Sequence, residues 1–371
     1  MNTFQTGARL FLGLMMTALL AACGGGGGGS AGSGGTAASG VTVVPALGAF
    51  SAGVRVEAFD PVTGLAIGDG ATTDANGTAV IDLGNHATSF ILKVTGSATA
   101  KYFEEGLTAT GTDINFTSND SLLALVPASV AVTKGSSIGV TPLTHMAAGF
   151  AVNSLSDLKV NIPAGKTAAD VMYEAMARVR YITGLPYRTD SREQVSLNPL
   201  LAPSVLSSTT KSAGINLSQA GGYYGLFLSE LSSAVSNEIP ARTSIDLAKS
   251  LFNRAAALKA LVSAGTLSAT SQEVTDFMAS ADYLAINTAS AAVGAGNSTF
   301  LSTCKTLPIT DKNILNGFFT NARNLNTSSA FAPNASDLAQ MVLDLTSATN
   351  SKITKNLVSP FTETSTGANG C

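Results

Sequence analysis

The chain has no tryptophan, two histidines and three cysteines, and only 12% of its residues are charged. Each scarcity removes an option. Aromatic residues make up 6% of the sequence, which leaves little for the stacked rings on which carbohydrate-binding faces usually rest. The formal net charge is −3, and the basic patch or stripe of a nucleic-acid binder is missing, so no nucleic acid is expected as a partner. His86 and His145 are the histidines, and neither has Glu three residues on. A zinc pair with His-x-x-Glu spacing is therefore excluded, and no metal or cofactor is expected. Beyond the leader no run stays apolar for the roughly 18 residues that a membrane helix needs. With so few charges, Ser, Thr, Asn, Gly and Ala must cover the surface, a common habit of exported proteins.

What is present begins at the amino terminus. Residues 1–9, MNTFQTGAR, carry one positive charge, on Arg9. Residues 10–22, LFLGLMMTALLAA, are apolar and uncharged, but too short for a bilayer, which takes about 20 residues. A basic start, a short apolar core and small residues at the end describe a secretory signal peptide over residues 1–22. Leu20-Ala21-Ala22-Cys23 resembles the lipobox of bacterial lipoproteins. That resemblance implies a diacylglycerol on the Cys23 thiol, cleavage just before Cys23 and an acylated new amino terminus. One acyl chain binds a membrane only marginally and two or more hold it stably, so the protein is expected to stay membrane-bound through its N-terminal lipid. Gly24 in place of Asp after the cysteine implies the outer membrane. The plain alternative is an ordinary signal peptide cut near Ala22, leaving Cys23 as a free thiol.

Residues 24–40, GGGGGGSAGSGGTAASG, offer no side chains for a core. With the cysteine they form a tether over residues 23–40. A Gly/Ser coil of this length spans roughly 20–25 Å end to end. A phosphate-binding loop would need a preceding strand, a following helix and a Lys-Ser/Thr pair, and none is there. With Cys23 lipidated, Cys304 and Cys371 remain as an even pair in an oxidising compartment. A Cys304–Cys371 disulfide is expected, clamping the terminal tail to the loop LSTCKTLP, with a loop-entropy contribution of about 4 kcal/mol. Two unpaired thiols or an intermolecular bridge are the alternatives.

The body divides into two patterns. From residue 41 to 135 it is β. In VRVEAFD, Val54, Val56 and Ala58 alternate with Arg55 and Glu57, as in a half-buried antiparallel strand. DPVTG at 60–64 is a turn, and the Asn76-Gly77 pair is a strong hairpin signal. TAVIDL, SFILKVT, INF, LLALV and SVAVT complete about seven strands, which suggests a small β-sandwich. The segments 53–60 (GVRVEAFD), 73–77 (TDANG) and 90–94 (FILKV) resemble the carboxypeptidase regulatory-like domain. The resemblance covers about 60 residues and implies a transthyretin-like (prealbumin-type) sandwich serving as a non-catalytic accessory module.

From residue 141 to 371 the pattern is helical. Thr141-Pro142, Thr167-x-x-Asp170, Thr243-x-x-Asp246 and Thr270-x-x-Glu273 are helix starts. Apolar residues follow at helical spacing: Val171, Ala175, Val179 and Ile182, then Tyr224, Leu228, Leu231 and Val235. Leu247, Leu251, Ala255, Leu258 and Val262 make a third row, and Val274, Phe277, Ala281 and Leu284 a fourth. Thr310 and Ser336 cap two more. The expected fold is α+β: a small N-terminal sandwich, then a bundle of about six to eight helices.

Several motifs invite a chemical role. Gly135-Ser-Ser-Ile-Gly139 fits Gly-x-Ser-x-Gly around Ser137, but a nucleophile elbow needs an acid and then a histidine later in the chain. His145 is only eight residues on and no histidine follows it, so an interdomain linker is the expectation. Aligned on Gly77 as an EF-hand loop, position twelve is Leu83 instead of the bidentate acid, and a turn held by Asp74 and Asn76 accounts for the same residues. KYFEEG, residues 101–106, gathers Tyr102, Glu104 and Glu105. Paired carboxylates suit acid–base work when burial separates their pKa values. The plainer account is a solvated loop tip, and on a rigid sandwich such a loop is the first candidate binding patch. In GGYYG, Tyr223 and Tyr224 are expected to pack one ring inward. His145 is expected to be structural.

The functional expectation is a binding or scaffolding lipoprotein at the outer membrane, with an unknown envelope protein or polymer as partner. The competing expectation is a hydrolase with its site in the helical domain or at the domain junction. Mass spectrometry of the mature protein tests the covalent expectations. A cleaved chain with acylated Cys23, and a peptide pair joining Cys304 to Cys371, are the expected species.

Overall fold

A computed structural model describes residues 40–107, 111–127, 137–183, 187–189, 194–196, 200, 202–205, 207, 220–268 and 270–289. Cys23, Cys304, Cys371, the tether, the strand expected at 129–133 and the helices expected after Thr310 and Ser336 lie outside the described residues.

Among the described residues nine strands come first and helices follow, with one short strand pair between the second and third helices, so the fold is α+β. Strands β1 (Gly40–Pro45), β4 (Ala79–Asp82) and β9 (Ser137–Val140) form a three-stranded sheet in the order β4-β1-β9. In it β1 runs antiparallel to β4 and parallel to β9. An antiparallel sheet has the order β3-β2-β5-β8, from β2 (Arg55–Phe59), β3 (Ala66–Thr72), β5 (Phe90–Thr95) and β8 (Ser121–Val126). Strands β6 (Lys101–Glu104) and β7 (Thr112–Asn115) pair with each other, and short strands β10 (Tyr187–Thr189) and β11 (Gln194–Ser196) make another pair. The alternation read in VRVEAFD is there: Val56 and Ala58 are buried while Arg55 is exposed. The TDANG turn is held as expected, since the Asp74 carboxylate accepts from the backbone N–H groups of Asn76 (2.9 Å) and Thr78 (3.0 Å).

One expectation is corrected here. Within the motif at 135–139, residues 137–139 are not a linker: Ser137 opens β9 and pairs with Thr42 of β1, while 135 and 136 lie outside the described residues. The stretch Ser-Ile-Gly-Val is too short and too glycine-rich to announce itself as a strand. A single hydrophobic core then runs from Val41 and Val43 through Leu92 and Leu125 to Met146, Leu251 and Ile286. The strand-rich and helix-rich parts thus share one interior.

Helix α1 (Pro142–Gly149) is the junction, and all eight of its residues are buried. Thr141 caps it, with Thr144 returning the bond to the cap backbone. The helix lies against β8, and β8 accordingly loses its alternation, with Leu122–Val126 all buried. Sheet edges left unpaired are costly, and α1 covers this one. The Leu123 N–H on β8 donates to Nδ1 of His145 at 3.1 Å. The His145 ring stacks on Phe252, with centroids 4.8 Å apart and 22° between planes.

Phe252 belongs to α4 (Ser244–Ala264), which starts at a Thr243/Asp246 capping box and ends at Gly265 with φ of 68°. Contact between α1 and α4 is close. A Cβ on Gly149 would lie 2.4 Å from the Phe252 carbonyl oxygen. Helix α2 (Ala168–Thr183) starts at the expected Thr167/Asp170 pair, and α3 (Ala220–Ser236) brings Tyr224 and Val235 into the core.

The last helical stretch departs from expectation. Helix α5 (Gln272–Met278) has Ser271 at its cap, not Thr270, and no side-chain cap bond. It stops at Ala279, and a separate helix α6 spans 281–289. Ser280 separates them: its hydroxyl donates to the Phe277 carbonyl at 2.6 Å and accepts from the Tyr283 N–H at 3.2 Å. The apolar row therefore does not continue in line, and Leu284 is 66% exposed.

His145 is wholly buried, and burial, helped by the charge on Lys249, holds its pKa down at about 3, against 6.5 for a free imidazole. Below pH 6.5 the unfolded chain takes up a proton that the folded protein refuses, so stability falls as pH falls. Between pH 7 and pH 5 the loss should be about 2 kcal/mol, measured by chemical denaturation. His145→Asn keeps an acceptor near the Leu123 N–H and should remove most of that slope.

Candidate functional site

KYFEEG is where the sequence places its candidate patch, and the structure corrects its setting. Tyr102 and Glu104 are not on a solvated loop tip; they lie on strand β6, and Tyr102, Glu104 and Glu105 are all buried. Helices α3 and α4 cover them. The reason is backbone geometry. Gly106 follows directly, and its N–H donates to the Ser232 hydroxyl on α3 at 2.7 Å. A Cβ at Gly106 would meet the Ser233 backbone nitrogen at 2.3 Å, so only glycine lets this strand end lie against the helix.

The Glu104 carboxylate is the centre of the arrangement. Its Oε2 accepts from the Tyr102 hydroxyl at 2.9 Å and from the Ser244 N–H at 2.7 Å. Its Oε1 accepts from the Ser244 hydroxyl at 2.6 Å and from the Ser232 hydroxyl. Ser244 is the first residue of α4, where unpaired N–H groups and the helix dipole favour an acidic partner. Four donors fill the four lone-pair positions that a carboxylate offers. Burial, and then the neighbouring Glu104, push the Tyr102 hydroxyl pKa upward. Tyr102 also packs near Phe50 and Phe116, with ring centroids 5.7 and 6.4 Å away. The group is a fastening of strand to helices, with no acceptor position left for a substrate.

The remaining sequence candidates resolve in the same direction. Tyr224 points inward, its hydroxyl 2.6 Å from the Thr141 hydroxyl; Tyr223 has its side chain outside the described residues. Ser137 sits on β9, and the nearest histidine in sequence, His145, spends Nδ1 on the sheet edge. Among the described residues no group of three His, Cys, Asp or Glu side chains is placed to hold a metal ion, and no helix is long and apolar enough to cross a membrane.

Three further polar clusters escaped the sequence. Asp282 on α6 accepts from Arg242 at 2.6 Å, from Ser250 at 2.6 Å and from Arg254. Burial works against its charge, but these bonds together hold the carboxyl below its ordinary pKa. Glu238 pairs with Arg242 at 2.6 Å. Lys249 of α4 reaches Asp120 beside β8. On α2, Glu174 pairs with Lys166 at 2.7 Å and with Arg178 at 3.6 Å. Arg178 lies over the Phe150 ring, and burial lowers its pKa to about 10, partly offset by Glu174. Glu174 and Arg178, four apart on one helix, were a readable pair. Arg242 and Asp282 stand 40 positions apart, and nothing local links them.

Glu104→Ala should strand the Ser244 N–H and three hydroxyls and destabilise the fold by about 3 kcal/mol or more. Glu104→Gln should cost less, because hydroxyls can turn to accept. A chiefly catalytic carboxylate would leave the denaturation midpoint unchanged in both variants. No protein-family model matches the chain, and neither a curated protein nor a solved structure does.

Proposed function

We propose that the chain is an envelope lipoprotein, anchored through Cys23 to the outer membrane, whose folded part binds or scaffolds an envelope protein or polymer. The observation that carries this reading is the junction Leu20-Ala21-Ala22-Cys23, followed at once by the Gly/Ser run of residues 24–40. A lipobox, a tether without core-forming side chains and a folded body in that order are the parts an anchored module needs.

The strands at residues 41–135 are a transthyretin-like sandwich of the carboxypeptidase regulatory-like kind, an accessory module, and the helices after residue 141 are a bundle packed on it. Strand β2, the Asp74 turn and strand β5 stand at the three segments that carry the resemblance, which supports this assignment. Cys304 and Cys371 form a disulfide that ties down the carboxyl-terminal tail. Binding is favoured over hydrolysis because Glu104 has all four acceptor positions taken by structural hydrogen bonds and His145 is wholly buried, with Nδ1 bonded to the Leu123 N–H and its ring stacked on Phe252.

Cys23→Ser tests the anchor. The variant should accumulate as unprocessed precursor and lose the acyl mass of the mature protein. Unchanged processing and an unchanged amino-terminal mass would overturn the reading.

A further inference from the structure

The turn that joins β3 to β4 carries an Asn-Gly pair, Asn76-Gly77. The chain's other two such pairs, Asn316-Gly317 and Asn369-Gly370, lie outside the described residues. The fold requires glycine at 77. Its φ is 75°, a conformation that side chains resist, and a Cβ there would lie 2.4 Å from the Phe50 carbonyl oxygen. Asn76 beside it is exposed to water, while Gly77 is buried. An open side-chain amide is thus followed by a backbone nitrogen with no Cβ to obstruct it.

Such a pair has one reaction available without any enzyme. The Gly77 nitrogen gives its proton to solvent base and attacks Cγ of Asn76. The new N–Cγ bond closes a succinimide ring, the Cγ–Nδ2 bond breaks, and Nδ2 takes up a proton and leaves as ammonia. Water then opens the ring at either carbonyl and leaves aspartate or isoaspartate at position 76. One water is consumed and one ammonia released, with no oxidation or reduction.

Asp74 bonds to both reacting groups. Its carbonyl accepts from the Gly77 N–H at 3.0 Å. Its Oδ2 accepts from Nδ2 of Asn76 at 3.2 Å, and its Oδ1 from the Asn76 N–H at 2.9 Å. Thr78 steadies the same carboxylate, its N–H donating to Oδ1 at 3.0 Å and its hydroxyl at 3.2 Å. Ring closure must therefore remove a proton already held inside the protein and turn the amide away from its partner. Negative charge develops on the attacking nitrogen and then on the amide oxygen, and the adjacent carboxylate repels both. The Thr78 N–H, first among its donors, holds the Asp74 carboxyl below its ordinary pKa, so that repelling charge is present throughout the neutral range.

We infer that Asn76 is a latent deamidation site and that Asp74 keeps it closed, by binding the Asn76 amide and the attacking Gly77 N–H at once. Conversion would set a second carboxylate where Nδ2 now meets Asp74, replacing a hydrogen bond by a like-charge contact. Isoaspartate would also lengthen the main chain beside a glycine already packed against the Phe50 carbonyl. The turn would then lose the clamp that shapes it.

The test incubates the full chain, folded and in urea, at neutral pH and physiological temperature. Conversion at 76 is read in the digested peptide by the amide-to-acid mass gain and by enzymatic methylation of isoaspartate. Folded wild type should convert roughly tenfold or more slowly than the chain in urea. Folded Asp74→Ala should recover most of that difference. Asp74→Asn keeps acceptors for the Asn76 and Thr78 N–H groups but removes the charge, and its rate should fall between the two. Asp82→Ala removes an acceptor of the Gly84 N–H at the far end of β4 and should convert at the wild-type rate, and denaturation midpoints show which variants are folded. Wild type converting equally fast folded and in urea, both Asp74 variants converting as slowly as wild type, or Asp82→Ala converting as fast as they do, overturns the inference.

Discussion

Everything in the fold passes through eight residues that have no access to water. Helix α1 brings Thr144 and His145 inside with it, and Thr141 at its cap is buried as well. A buried polar group without a partner costs about 1–3 kcal/mol; each of these side chains finds one, although Nε2 of His145 has none among the described residues. Thr141 and Thr144 satisfy the start of the helix, and the Thr141 hydroxyl reaches across to Tyr224 on α3. His145 receives the open edge of β8. The helix is thereby fixed to a sheet on one side and to helices on the other, and no layer can shift without breaking a bond in the dry interior.

Helix α4 depends on this arrangement and extends it. At its start it is seated on Glu104, in its middle Lys249 reaches Asp120, and near its end Lys259 reaches the Val152 carbonyl. These contacts fall on three different places in or beside the strand-rich part. The clusters around Glu104, Asp282 and Lys249 read as fastenings between elements far apart in sequence, while Lys166, Glu174 and Arg178 pair locally.

Legibility in the sequence followed the range of each interaction. Capping pairs at Thr141, Thr167 and Thr243, the alternation around Val56 and the turn at Asp74 are local, and each could be read from three or four neighbouring letters. Glu104 was noticed, but its surroundings were misjudged. Its partners Ser232 and Ser244 are 128 and 140 positions away, and a glutamate pair beside glycine looks like a surface loop until a helix is known to lie over it. Strand β9 was missed for a related reason, since its partner β1 is nearly a hundred residues earlier and its pairing is parallel. The break between α5 and α6 hid behind a periodicity that ran on through Ser280, where a single hydroxyl was enough to end one helix and begin the next.

The position of β1 has a mechanical consequence. It is the middle strand of its sheet, bonded on one side to β4 and on the other to β9. Consider a pull on Gly40 directed along the length of this strand. Its ladder bonds lie across that direction and share the load in shear, so the sheet resists by all of them together, where an edge strand peeled from its corner would yield one bond at a time.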